Sequence, residues 1–169
     1  MSQASNKVKW CINKAEREIK ETGFHRGLVL QKPDEVQAKN HIIKAEHNLN
    51  AALFFEKNEY SDWSASAFFY CIYHCFLAIL RKFGYESRNQ ECSIAVIEML
   101  KEEGKISIDE KFINALKITQ SKDEPHSIIK LREDFQYGTL IEFQKKEEFE
   151  LLSEMCKEIL AETKEIVFK

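Results

Sequence analysis

The sequence is poor in glycine and proline, with 5 and 2 among its 169 residues. That shortage argues against a sandwich or barrel, whose many turns depend on both. With 44% hydrophobic and 31% charged residues, the composition fits an all-α protein. Neither sign of charge is in large excess, because 25 Lys and Arg face 28 Asp and Glu for a net −3. No global basic field draws nucleic acid to the chain, so any such contact must be local or assembled from two chains. No linker-like stretch divides the sequence. The length suits one domain over residues 1–169, with an N-terminal helix and loop over 1–33 and a core bundle over 34–169.

Several chemistries are missing as well. There is no glycine-rich phosphate loop, and no serine or cysteine sits on a strand-to-helix elbow. His41 and His47 are six residues apart, hence on different helix faces, and make no common site. The start MSQASNKVKW lacks the apolar run of a signal peptide, and the five cysteines, Cys11, Cys71, Cys75, Cys92 and Cys156, are odd in number and scattered. A reducing, cytoplasmic setting is expected. The longest apolar stretch, 67–80, is interrupted by His74 and falls short of the ~20 residues that span a bilayer, so it reads as a core helix with no membrane role. Within it Cys71, His74 and Cys75 share one turn and are residue types that zinc prefers. Three ligands without a second Cys or His pair favour the plainer reading of buried side chains, with no metal and no cofactor.

What is present is helical periodicity. Val8, Cys11, Ile12, Ala15 and Ile19 outline an amphipathic first helix that Thr22-Gly23 stops. The following GLVLQK is a loop or a brief extended piece. Pro33-Asp34 then starts a long helix to about Lys57, with the stripe Ala38, Ile42, Ala45, Leu49 and Ala52, joined by Leu53, Phe54 and Phe55. After a tight turn, with Ser61 or Asp62 as cap, a third helix to Phe83 is apolar nearly all round and belongs at the centre of a bundle. An exposed segment, Glu86 to Gln90, leads to a fourth helix, and a fifth is capped by Asp109 or Ser107. A short helix starts at Pro125 or His126 and stops at Gly138, and a long closing helix carries Phe149 to Ile166.

The densest polar cluster is KLREDFQYG, residues 130–138. On a regular helix Arg132, Phe135 and Gln136 share a face, whereas Tyr137 lies about 140° away from Arg132. The two converge only if the helix frays at Gly138. The plain alternative pairs Arg132 with Glu133, Asp134 or another surface acid and leaves the Tyr137 hydroxyl in water. Asp134 either orients Arg132 or faces solvent.

From about Ala45 onward the layout resembles the HEPN domain superfamily. The resemblance rests on the helix KAEHNLNAALFFEKNEYSDW, the aromatic helix SASAFFYCIYHCFLAILRKFG, the segment ESRNQECSIAVIEML and the late arginine motif before a long last helix. It implies a four- or five-helix up-and-down bundle that forms a homodimer through its central helices. It also implies a toxin–antitoxin partnership with a minimal nucleotidyltransferase, and RNA or nucleotide as ligand. Many members are metal-independent ribonucleases whose motif is an arginine followed roughly four to six residues later by a histidine. Arg132 fits the arginine, and Tyr137 stands where the histidine belongs. The implied catalytic set is Arg132, Tyr137 and Asp134, and the implied nucleic-acid contacts are Arg132, Lys130 and Gln136. Tyrosine, with an ordinary pKa of about 10, is a poor proton acceptor near pH 7, so phosphate binding survives this departure better than cleavage does. His126 is a candidate replacement base. Tyr137 is also a candidate acceptor for nucleotide transfer by the partner. The other reading is a catalytically silent module that docks the nucleotidyltransferase.

Overall fold

The computed structural model describes residues 2–117 and 127–169. Among these residues lie seven helices: α1 (Gln3–Thr22), α2 (Glu35–Lys57), α3 (Ser61–Lys82), α4 (Gln90–Glu102), α5 (Glu110–Ala115), α6 (Ile128–Tyr137) and α7 (Lys146–Phe168). Two short strands, β1 (Leu28–Leu30) and β2 (Tyr85–Ser87), pair antiparallel. The all-α expectation holds.

The helix starts follow local chemistry. Asp34 accepts a hydrogen bond from the Gln37 amide to cap α2, Asn89 caps α4 through the Cys92 amide, and Asp109 caps α5 through Lys111. Each satisfies an amide that the first helical turn leaves without a partner. Neither Ser61 nor Asp62 caps α3. Tyr60 holds that position with no side-chain bond, and the Ser61 hydroxyl donates to the Ile141 carbonyl instead. The expected start of α6 at Pro125 or His126 lies outside the described residues; α6 begins at Ile128, with Ser127 as its cap.

α2 and α3 form an antiparallel hairpin across the turn at Asn58–Tyr60, where Glu59 takes a positive φ of 64°. Burial of Ala38, Ile42, Ala45, Leu49 and Ala52 is the stripe the periodicity predicts, and its small residues let α3 approach closely. The Ser64 hydroxyl donates to the Ala52 carbonyl at 2.8 Å inside that seam. Leu53 and Phe54 do not join the stripe; both point outward, because the helix phase that buries Ala52 turns them to the opposite side.

α3 is the hub, packing against α2, α4, α6 and α7. It spans 22 residues and is long and apolar enough to cross a membrane by length and composition, contrary to the shorter stretch read from the sequence. Most of that length is buried within the bundle. The helix is not buried all round, since the aromatic Trp63 and Tyr70 are 60% and 46% exposed along one side.

The N-terminal extension is fastened to the core in three ways. α1 buries Ala4, Val8, Cys11 and Ala15 and packs against α4 and β1, and Cys11 bonds Cys92 in a disulfide. That bond takes the cysteine count out of the argument for a reducing compartment. β1 resolves the ambiguous GLVLQK as a strand, and its partner β2 lies half-buried where an exposed segment was expected. Pairing with β1 covers it, and the Glu86 carboxylate there meets Arg88 at 3.3 Å, Arg81 at 3.4 Å and His25 at 3.8 Å. Gly84 makes the turn into β2 with φ 79°, and a Cβ there would sit 2.7 Å from the Gln31 carbonyl oxygen. Only glycine fits both conditions.

Candidate functional site around Arg132

α6 is placed by its apolar face. Ile128, Ile129 and Phe135 are buried, and Phe135 starts a chain of rings through Phe143 and Phe149 to Phe68 of α3, with centroids 5.0, 5.5 and 5.1 Å apart. These contacts tie α6, the loop after it, α7 and α3 into one unit, which fixes the side of α6 that carries Arg132.

The Arg132 guanidinium lies over the Phe69 ring of α3, with Cζ 4.1 Å from the ring centroid. That is within cation–π range. Phe69 is itself held by an edge contact with Tyr70 at 5.0 Å and a stack on Tyr73 at 5.9 Å. Tyr73 is anchored by a hydrogen bond with the Ser93 hydroxyl, which also lies 2.8 Å from the Ser87 hydroxyl and 2.9 Å from the Asn89 carbonyl. Among the described residues no acid pairs with Arg132, and its Nε is buried with no partner. The pairing with Glu133, Asp134 or another acid among the described residues is therefore not formed. A half-buried arginine with unspent donors and no counter-ion is suited to an anion, and its planar fork matches phosphate.

The other motif residues do not gather round it. α6 stays helical through Tyr137, so the fraying that would bring Tyr137 to Arg132 does not occur within one chain. Tyr137 is 80% exposed, and Lys130, Asp134 and Gln136 are exposed. Asp134 lines a shallow groove with Leu131, Phe135, Leu140, Gln144 and Glu148. Two carboxylates on that groove repel phosphate, and Arg132 is not part of it. His126 lies outside the described residues.

Gly138 ends α6 in an extended conformation, φ −88°, with its amide donating to the Asp134 carbonyl. A Cβ there would stand 2.3 Å from that carbonyl oxygen, so glycine is required by close approach and not by a left-handed φ. Gly138→Ala is expected to cost about 1–3 kcal/mol, as overpacking does, and to displace Tyr137. A melting temperature equal to the parent's would refute this.

The residues near His74 are a second feature. Cys71 and Cys75 are fully buried, and burial pushes the Cys75 thiol far above its usual range, in keeping with the plain reading of CIYHC. His74 turns away from them towards α2, where its Nδ1 lies 2.9 Å from Nδ1 of His41. Spacing along α2 compares His41 only with His47 and is silent on His74. The useful signal was the hairpin itself, because a tight turn near residue 58 sets 41 opposite 74.

Desolvation, then the neighbouring His74, holds the His41 pKa down to about 4; desolvation and Lys44 lower that of His74. One proton keeps a single N–H···N bond between the rings, and a second would break it. The unfolded chain protonates these histidines near pH 6.5, so it binds more protons than the folded chain between about pH 6.5 and 4. Stability is thus expected to fall as pH drops through that window, by about 2 kcal/mol after allowing for solvent screening. His41→Asn should flatten this part of the profile. Urea midpoints that drop equally in parent and variant between pH 7.5 and 4.5 would exclude the pair as the cause.

An antiparallel helical core, with an arginine that has no acid partner among the described residues held against its central helix, defines the class of protein: an all-α helical bundle. The HEPN domain family model matches residues 38–166, and the chain belongs to that family. No curated protein matches the chain. Membership supports a nucleotide- or RNA-related function in general terms. The matched span leaves out α1 and β1.

Proposed function

We propose that the protein binds RNA or nucleotide through Arg132, as a homodimer of the HEPN type that acts as the toxin of a toxin–antitoxin pair. The observation that carries the binding reading is the Arg132 guanidinium, stacked on Phe69 and without a counter-ion among the described residues. Lys130 and Gln136 flank it on α6 as further contacts. The exposed Trp63 and Tyr70 on the central helix support self-association, which would bring two copies of the motif to one cleft. Ribonuclease activity, if retained, is weak and needs no metal. Tyr137 would supply a proton and take one up poorly, and losing acid–base assistance costs ~10²–10⁴ in rate. Asp134 is exposed beside it as the remaining polar group of the motif.

Tyr137 also favours a second reading, a silent module that docks a minimal nucleotidyltransferase, because its hydroxyl is open to a partner. The test is cleavage and binding of single-stranded RNA by the purified chain in chelator, alongside Tyr137→His, with the mass of the particle measured by sedimentation. Binding by a dimer, with cleavage raised in Tyr137→His, is the expected result. A monomer that neither binds nor cuts RNA would end the first reading and leave the docking module.

A further inference from the structure

We infer that α1 carries a second site for single-stranded RNA, in which Trp10 stacks on a base while Lys7, Lys14 and Arg17 hold the flanking phosphates. The carrying observation is a charge asymmetry that the fold gathers onto one surface. Residues 1–33 hold seven Lys and Arg against three Glu, a net +4, so the core over 34–169 carries −7. Positive charge is thus concentrated in the part of the chain before the matched family span, and such a patch attracts a polyanion where the molecule as a whole does not.

Spacing turns that charge to one side. On a regular helix Lys7, Trp10, Lys14 and Arg17 fall within an arc of about 80°, away from the buried Ala4, Val8, Cys11 and Ala15. Trp10 is 50% exposed, with the Lys7 and Lys14 ammonium groups 4.7 and 5.4 Å from its ring centroid, and Arg17 is exposed one turn further on. Glu18 accepts a hydrogen bond from the Arg26 amide at 2.9 Å, which folds the chain back at the end of α1 and sets the Arg26 guanidinium 6.0 Å from the exposed Phe24 ring. The Cys11–Cys92 bond, next to Trp10, fixes the whole face to α4.

An exposed indole among cations is the combination a single strand takes, because every base offers a face for stacking and its phosphates need positive partners. Duplex RNA, with its bases stacked inside, offers no such face. The acids beside the stripe are weak competitors. Lys7 meets Glu91 at 3.2 Å and Lys14 meets Glu18 at 3.9 Å, both at the surface, where an ion pair contributes little and gives way to phosphate. An anionic membrane would attract the same charges, but an interfacial helix must also insert an apolar face, and α1 turns its own inward onto α4 and β1.

The inference takes its ligand class from the proposed RNA reading, so the test treats the two sites separately. Binding of a labelled oligouridylate to the oxidised full-length protein is followed by anisotropy over a salt series, for the parent, Trp10→Ala, Trp10→Phe and Lys14→Gln with Arg17→Gln, each also combined with Arg132→Ala. These side chains are exposed, and melting temperatures check that the fold is kept. Trp10→Ala is expected to weaken binding at least about fivefold in both backgrounds. The Lys14→Gln, Arg17→Gln pair should lower the slope of log affinity against log salt by about 1.4. RNA should quench tryptophan fluorescence in the parent and much less in Trp10→Phe, which keeps a ring and most of the affinity. If only Arg132→Ala weakens binding, this inference is overturned and the Arg132 site stands. If only the α1 variants weaken it, the Arg132 reading falls and this one stands. A parent that ignores RNA overturns both, and binding to phosphatidylserine vesicles that the same α1 variants lose would then assign the stripe to a membrane.

Discussion

Replacing Arg132 by alanine is expected to weaken binding of single-stranded RNA by at least about tenfold while leaving the fold intact. A charge-assisted bond to phosphate contributes about 1.5–3 kcal/mol, and the planar fork makes two when it binds side by side. Stability should change by less than about 1 kcal/mol, because the lost ring contact is offset by removal of the unpartnered Nε. Arg132→Lys keeps the charge without the plane and should recover only part of the affinity. Phe69→Leu keeps the apolar volume beneath the guanidinium but removes the ring that orients it, so a several-fold loss is expected with Arg132 still present. The slope of log affinity against log salt should fall by about one in Arg132→Ala. Fluorescence anisotropy over a salt series reads all three variants. Equal affinity and equal slope for the parent and Arg132→Ala would remove this arginine from the site.

The second large effect concerns stability. The Cys11–Cys92 bond closes a loop with a sequence separation of 81 residues, and its removal should lower the unfolding free energy by about 2–4 kcal/mol. Cys11→Ser, Cys92→Ser and the double variant should give the same loss, since each removes the one bond. RNA binding should survive, because α1 and α4 do not carry the α6 motif. Urea unfolding of the oxidised parent beside these variants gives the answer. Coincident midpoints would show that the packing of α1 on α4 suffices without the bond.

Most of the fold was legible because helix periodicity and caps are local. The α2 stripe, the stop at Gly23 and the caps at Asp34 and Asp109 depend on residues within one or two turns of each other. The β1–β2 pair, the disulfide and the His41–His74 contact join segments far apart in sequence, and no local pattern encodes which segments meet. The caps proposed at Ser61 and Asp62 failed for a related reason: the loop after α6 offers Ser61 a carbonyl, and that loop is 80 residues downstream. At the candidate site, the motif identified Arg132 and flagged Tyr137 as a departure. It did not reveal Phe69, whose role comes from α3 lying beneath α6. Nor did spacing alone decide whether Arg132 and Tyr137 converge, which turned on whether the last turn of α6 held.

The attachment of α1 sets an order of events during synthesis. Cys11 leaves the ribosome 81 residues before Cys92, a delay of roughly 4–16 s at ordinary elongation rates. The strand partner of β1 arrives only after the α2–α3 hairpin, which can close on itself from neighbouring contacts. Through that interval the stripe of Ala4, Val8, Cys11 and Ala15 has β1 beside it but lacks α4, the helix that covers most of it. The nascent chain therefore carries a partly bare amphipathic segment ahead of a core that is already assembling, and a factor that shields such segments at the tunnel exit would raise the yield of folded protein.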